Sequence, residues 1–65
     1  MADKIQILIV EDDVDFCFLI KSMLKKEETM EVVGCAFNRQ DAVRLACSTQ
    51  PDIVLMDLNL SSVNL

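Results

Sequence analysis

The sequence predicts a small α/β fold in which three parallel β-strands alternate with two α-helices. Three apolar segments stand at positions 4–10, 31–36 and 52–56, and two amphipathic segments lie between them. Apolar strands separated by helices of about a dozen residues pair in parallel through right-handed crossovers. With 65 residues, the chain forms one small domain or part of a larger one.

The first strand and the first helix are predicted from two different apolar patterns. Lys4–Val10 (KIQILIV) is a nearly uninterrupted apolar run, which is typical of a strand buried on both faces. Val14–Lys26 carries an apolar stripe of helical period, with lysines on its other side and at its end. The stripe consists of Phe16, Leu19, Ile20, Met23 and Leu24.

The second strand and the second helix have clearer boundaries. Glu31–Ala36 (EVVGCA) is the predicted strand. Asn38 is the predicted N-cap of the following helix, and Asp41 completes a weak capping box. This helix must end near Gln50, because Pro51 disfavours the helical conformation in the residue before it.

Acidic residues follow two of the three predicted strands. The third strand, Asp52–Met56 (DIVLM), leads directly into Asp57, and Glu11, Asp12 and Asp13 follow the first strand. Parallel strands have their carboxyl ends at one edge of the sheet, where ligands bind in open α/β folds. If the first and third strands are neighbours, about 4.8 Å apart, these carboxylates lie close together.

Such a cluster has a chemical interpretation and a structural one. Neighbouring carboxylates repel one another unless they are protonated, hydrated or neutralised by a cation. Oxygen ligands without thiolate or imidazole suit Mg²⁺, and a carboxylate beside Mg²⁺ can attack a phosphoryl group to form an acyl phosphate. Alternatively, Asp57 is a strand-end turn residue. Asp13 is interpreted as the N-cap of the first helix.

Composition excludes several classes of function. Eleven acidic and six basic residues give a net charge of −5, which argues against nucleic-acid binding by this chain. The absence of histidine argues against zinc and catalytic-triad chemistry. The three cysteines, Cys17, Cys35 and Cys47, form no CxxC motif and are interpreted as reduced core residues. Without an apolar run of about 20 residues or a signal peptide, we expect no membrane partner and a cytoplasmic location.

The motifs, taken in order, resemble the first half of a receiver domain, the phosphoacceptor module of two-component response regulators. The resemblance is carried by Ile7–Asp13 (ILIVEDD), Val32–Ala36 (VVGCA) and Pro51–Asn59 (PDIVLMDLN), and it extends from about Lys4 to Leu60. It implies a flavodoxin-like doubly wound sheet of strand order 2-1-3-4-5. This chain would supply the three strands in the order 2-1-3.

The resemblance also implies a role for each residue at the strand ends. Asp57 matches the aspartate that a partner sensor histidine kinase phosphorylates. Glu11 and Asp12 match the pair that binds Mg²⁺, with Asp12 as the direct ligand and Glu11 acting through water. Asn59 matches the residue whose backbone carbonyl completes the metal site. Haloacid-dehalogenase-like phosphohydrolases need a second acid where Asn59 stands, so we expect a signalling domain and not an enzyme.

Receiver domains are roughly twice as long as this chain, so we expect residues 1–65 to be a truncated receiver domain. The fourth and fifth strands, the switch Ser or Thr, the phosphate-contacting Lys and an output domain are missing from it. The longer parent would relay its signal to transcription, whereas the 65 residues alone would be unable to switch. An open edge on the third strand predicts a homodimer or a swapped assembly. The alternative function is therefore a self-associating module without chemistry.

Overall fold

The computed structural model describes residues 3–57, which form a three-stranded parallel sheet with one helix on each face. The elements in chain order are β1 (Ile5–Val10), α1 (Val14–Lys25), β2 (Met30–Ala36), α2 (Arg39–Thr49) and β3 (Ile53–Met56). Strand β1 is central, with β2 on one side and β3 on the other. The predicted strand order 2-1-3 is confirmed, and each predicted boundary is met to within one residue.

The core of the molecule is built on both faces of β1. Ile7 and Ile9 pack with Cys17 of α1 on one face. Leu8 and Val10 pack with α2 on the opposite face. These four residues of β1 are each at most 3% exposed, so the prediction of a strand buried on both faces is confirmed. Alternate residues of a strand point to opposite faces, which is why an unbroken apolar run was needed here.

Helix α1 presents a narrower face to the sheet than its apolar stripe predicts. Cys17 is fully buried, and Ile20 and Leu24 are half-buried against the same cluster. Three other residues of the predicted stripe, Phe16, Leu19 and Met23, remain 48%, 54% and 61% exposed. Their exposure follows from the position of α1, which packs mainly over β2 and β1 and leaves its remaining apolar flank largely uncovered by the described residues.

Side-chain caps fix both helix starts where the sequence predicts them. Asp13 caps α1 by accepting a hydrogen bond of 3.1 Å from the Phe16 N–H. Asn38 caps α2 by accepting one of 2.8 Å from the Asp41 N–H. The Asn38 side-chain amide also donates to the Asp41 carboxylate at 3.1 Å. Both N-cap predictions are therefore confirmed.

Helix α2 ends through a left-handed residue immediately before the proline. Gln50 has φ 48° and ψ 61°, and its N–H donates to the Ala46 carbonyl at 2.9 Å. This C-cap turns the chain out of the helix, and Pro51 prevents its continuation. The end predicted near Gln50 is confirmed.

Neither of the helices formed by residues 3–57 is long and apolar enough to cross a membrane.

Strand β3 lies at an open edge of the sheet. It pairs in parallel with β1, from Ile7 opposite Ile53 to Val10 opposite Met56. All four β3 side chains are between 40% and 55% exposed, and no strand within residues 3–57 pairs with the outer edge of β3. The predicted bare apolar edge is present in the described part of the chain.

The three cysteines occupy three different environments. Cys17 is buried, Cys35 is half-buried and Cys47 is exposed. The interpretation as core residues is confirmed for Cys17 and wrong for Cys47. Helix α2 directs Ala42 and Leu45 towards the sheet, so Cys47 lies on its solvent side.

Candidate phosphoacceptor and metal site

Two backbone hydrogen bonds bring the acidic residues to one edge of the sheet. The Glu11 N–H donates to the Ala36 carbonyl at the end of β2, at 2.9 Å. The Asp57 N–H donates to the Val10 carbonyl at the end of β1, at 3.0 Å. Glu11 and Asp57 are thus held by the ladders on either side of β1. The side chains gather here because β1 and β3 are adjacent and parallel.

Glu11, Asp12 and Asp57 each contribute a carboxylate oxygen to a compact cluster. These oxygens all lie within 4.8 Å of one another. Glu11 is buried with 6% exposure, whereas Asp57 is half-buried and Asp12 is exposed. The fourth predicted site residue, Asn59, lies outside the described residues. Asp13 belongs to the α1 cap and not to this cluster.

The environment of Glu11 opposes its ionisation. Burial raises the pKa of the Glu11 carboxyl, and the hydrogen-bonded and negatively charged Asp57 carboxyl raises it further, with a smaller contribution from Asp12. The Asp13 N–H, 3.3 Å from Glu11 Oε1, acts in the opposite direction. A cation among the three carboxylates would offset this repulsion.

The donor set fits Mg²⁺. Two oxygens bound to one Mg²⁺ ion at about 2.1 Å lie at most about 4.2 Å apart. The observed upper limit of 4.8 Å is slightly above that span, so the three carboxylates would have to draw closer together around a bound ion. Three carboxylates supply only oxygen ligands, which hard cations prefer. The exposed Asp12 leaves one side of the cluster open to water, and Mg²⁺ keeps several waters when it binds.

A cavity of about 260 Å³ adjoins the acidic cluster between α1 and β3. Its apolar walls include Phe16, Ile20 and Leu55, and Glu11 and Asp57 also line it. Sequence reasoning did not predict the position of these apolar residues beside the site. The signal was present in the strand alternation, because Leu55 stands opposite Ile9 in register and shares the face covered by α1.

Sequence reasoning also missed that Glu11 is the most buried of the three acids. The residue directly follows the run Ile7–Val10, and the ladder with β2 continues through its backbone N–H. A residue still engaged with the central strand lies deeper than the two residues after it. That position could have been inferred from the length of the apolar run.

Comparison with known protein families agrees with the geometry of the site. The model of the response regulator receiver domain matches residues 7–64, nearly the whole chain. The chain belongs to the receiver domain family. The resemblance found in the sequence is therefore confirmed, and the match extends over both strands that carry the acids.

Curated relatives include proteins with two kinds of name, a transcriptional regulatory protein and a methylesterase/glutaminase. The chain is 39% identical over 62 residues to the transcriptional regulatory protein DegU of Brevibacillus brevis, covering 95% of this chain and 26% of that protein. It is 35% identical over 60 residues to a protein-glutamate methylesterase/protein-glutamine glutaminase of Caldanaerobacter subterraneus, covering 92% of this chain and 16% of the relative. This chain thus spans about a quarter of the first relative and about a sixth of the second. No solved structure matches the chain.

Proposed function

We propose that this receiver domain accepts a phosphoryl group on Asp57, in a reaction that requires Mg²⁺ bound by Glu11, Asp12 and Asp57. The observation that carries the proposal is the meeting of three carboxylates within 4.8 Å at the carboxyl edge of the sheet. Membership of the receiver family supports it. The backbone carbonyl of Asn59 is proposed as a further metal ligand.

The chemistry assigned to the chain is nucleophilic attack by Asp57. A carboxylate oxygen attacks the phosphorus of a donor, a phosphorus–oxygen bond forms, and the electron pair of the breaking bond leaves with the donor. Asp57 is half-buried and lines the cavity beside α1, which gives a donor access. Bound Mg²⁺ supplies positive charge that stabilises the transferring oxygens. Glu11 and Asp12 orient that charge next to the nucleophile.

Acetyl phosphate with Mg²⁺ tests the proposal directly. We expect the intact mass of the chain to increase by one phosphoryl group, and Asp57→Asn to abolish the increase because an amide is not a nucleophile. Asp15→Asn is the matched control, since Asp15 is an exposed acid in the first turn of α1. Phosphorylation of Asp57→Asn at the same rate as the unsubstituted chain would contradict the proposal. Full reaction without a divalent cation would also contradict it.

The proposed phosphoryl donor is a sensor histidine kinase, and the proposed location of the exchange is the cytoplasm. For the output we propose transcription, which the 39% identity to a transcriptional regulatory protein supports. Switching of that output is proposed to require segments that these 65 residues do not include. A kinase-dependent gain of phosphate that is lost in Asp57→Asn is the expected signature of this partnership.

A second candidate function is self-association through β3, alone or with exchange of elements between copies. The exposed apolar side chains and the unpaired outer edge of β3 favour it. Two identical edges pair through a two-fold axis in antiparallel orientation, which closes the assembly. We expect sedimentation equilibrium to give twice the mass of the chain, with and without Mg²⁺. A monomer at all concentrations that remain soluble would contradict this candidate without affecting the phosphoacceptor proposal.

A further inference from the structure

Two cysteine side chains from different elements meet under α1. Cys17 projects from α1 into the cluster formed by Ile7 and Ile9, and Cys35 of β2 packs against that same cluster. Cys35 stands opposite Ile9 in the parallel register, so both thiols share one face of the sheet. The neighbouring Cys35 also raises the pKa of the Cys17 thiol, in keeping with two side chains that pack in one cluster. The phosphoacceptor chemistry uses neither group.

The geometry points to a reversible disulfide between Cys17 and Cys35 that forms when the chain meets a peroxide and joins α1 covalently to β2. Both side chains pack in one apolar cluster of the folded chain. Cross-linking therefore joins two cysteines that the fold already makes neighbours. The exposed Cys47 lies on the solvent side of α2 and serves as an internal reference thiol.

The reaction proceeds in two balanced steps. Hydrogen peroxide oxidises the half-buried Cys35 thiol to a sulfenic acid and is itself reduced to water. The Cys17 sulfur then attacks the Cys35 sulfur, the sulfur–oxygen bond breaks, and the Cys17 proton leaves with the hydroxyl group as a second water. The sum is two thiols and one peroxide giving one disulfide and two waters.

Burial assigns the order of these steps. Cys17 has no exposed surface, and Cys35 is half-buried. Burial raises the pKa of the Cys17 thiol to about 12, with the neighbouring Cys35 as the next cause, so Cys17 stays protonated and does not meet the oxidant first. Its attack depends on contact with an oxidised Cys35. We expect slow formation compared with exposed low-pKa thiols, and reversal by a dithiol reductant.

The cross-link would restrain α1, the helix that begins next to the acidic site. Helix α1 begins directly after Asp13, and β2 ends at Ala36, whose carbonyl holds the Glu11 N–H. A disulfide from Cys17 to Cys35 thus ties together the two elements that flank Glu11. Because it removes conformational freedom from the unfolded chain, the oxidised form should have a higher thermal midpoint than the reduced form.

The test uses the 65-residue chain with Cys47→Ser, which removes the reference thiol. After treatment with hydrogen peroxide and blocking of free thiols, the intact mass should fall by the mass of two hydrogen atoms. Tryptic digestion should release the fragments 5–21 and 27–39 as one disulfide-linked pair. Dithiothreitol should separate the pair. Cys35→Ala should abolish both changes. Cys17→Ala should instead leave a sulfenic acid on Cys35 that dimedone traps.

One further condition, oxidation of the unfolded chain, separates a folded-state reaction from random oxidation. The same treatment in urea, applied to the chain with all three cysteines, should link Cys47 as well, because the unfolded chain imposes no pairing. Linkage of 5–21 to 27–39 that appears only in urea would overturn the proposal. Monomeric product without this link, or peroxide adding oxygen to Cys35 with Cys17 still free, would also overturn it.

Discussion

At the scale of single residues, Glu11 combines two features that oppose each other. It is an acid with 6% exposure, and two further carboxylates lie beside it. Burial raises its pKa, and Asp57 adds to that effect. Without a cation, the ionised side chain therefore costs stability.

Replacing Glu11 by Gln should raise the thermal midpoint in the absence of Mg²⁺, because an amide removes one of three repelling charges and keeps the shape. The same variant should gain less stability from added Mg²⁺ than the parent, since a ligand charge is missing. Thermal melts with and without MgCl₂ measure both effects. Glu28→Gln, at an exposed position after α1, is the control and should behave as the parent. A Glu11→Gln variant that Mg²⁺ stabilises fully would exclude Glu11 from the metal site.

Cys17 predicts an alkaline limit to stability. Its thiol has a pKa near 8.5 in an unfolded chain and about 12 in the fold, raised by burial, by Cys35 and by the charge of Glu11, against a smaller lowering by Lys21. A raised pKa in the folded state gives stability that is fully present below the unfolded value and is lost as the pH approaches 12. Urea unfolding between pH 8 and 11 should show this loss. Cys17→Ala should lower stability at pH 7 by about 1–2 kcal/mol but flatten the alkaline slope.

At the scale of elements, α2 depends on its caps more than on its apolar face. Ala42 is its one buried residue, with 8% exposure, and its N-terminus is held by Asn38 and Asp41. The cap gives an acceptor to an N–H group of the first turn that has no partner within the helix. Helix α2 itself packs over the face of β1 that carries Leu8 and Val10. An element with so little buried surface is sensitive to the loss of a single hydrogen bond.

Asn38→Ala should lower the free energy of unfolding by about 1 kcal/mol, since alanine leaves the Asp41 N–H without its side-chain acceptor. The midpoint of urea unfolding measures the change. Arg44→Ala is the matched control: its ion pair with Asp41 at 3.0 Å is largely exposed and should contribute at most about 0.5 kcal/mol. Equal losses from the two variants would show that charge on Asp41, and not capping, supports the helix.

At the scale of the whole molecule, the two edges of the sheet differ. Strand β2 is shielded by both helices and carries a register shift opposite Ile7 and Leu8 together with the exposed charge of Glu31. Bulges and charges of this kind protect edges from pairing. Strand β3 has four apolar residues, no charge within the strand and exposure on both faces. Association should therefore take place at β3.

Val54→Lys should shift the chain towards the monomer, because a charge in the centre of β3 disfavours the pairing of two copies. Sedimentation velocity over a range of concentrations measures the shift. Val43→Lys is the matched control, with the same change at a 59% exposed position on α2, and should leave the assembly unchanged. Equal dissociation by both variants would point to non-specific charge repulsion in place of pairing through β3.

Local sequence patterns predict much of this fold. The unbroken run of β1 predicts burial on both faces, Asp13 and Asn38 predict the helix starts, and Pro51 predicts the end of α2. Each of these signals acts within a few residues, so it can be read without knowing the tertiary structure. The acids after β1 and β3 were identifiable for the same reason, since parallel strands must end at one edge.

What the tertiary structure alone decided is how deeply each side chain lies. The local patterns predicted the order of elements and the common edge at which Glu11, Asp12 and Asp57 meet. They did not determine that α1 packs over β2 and leaves Phe16 exposed, or that Cys17 meets Cys35. Helical period defines an apolar face but not the neighbour that covers it. Burial depends on where elements separated in the chain come to rest, and that is a property of the assembled sheet.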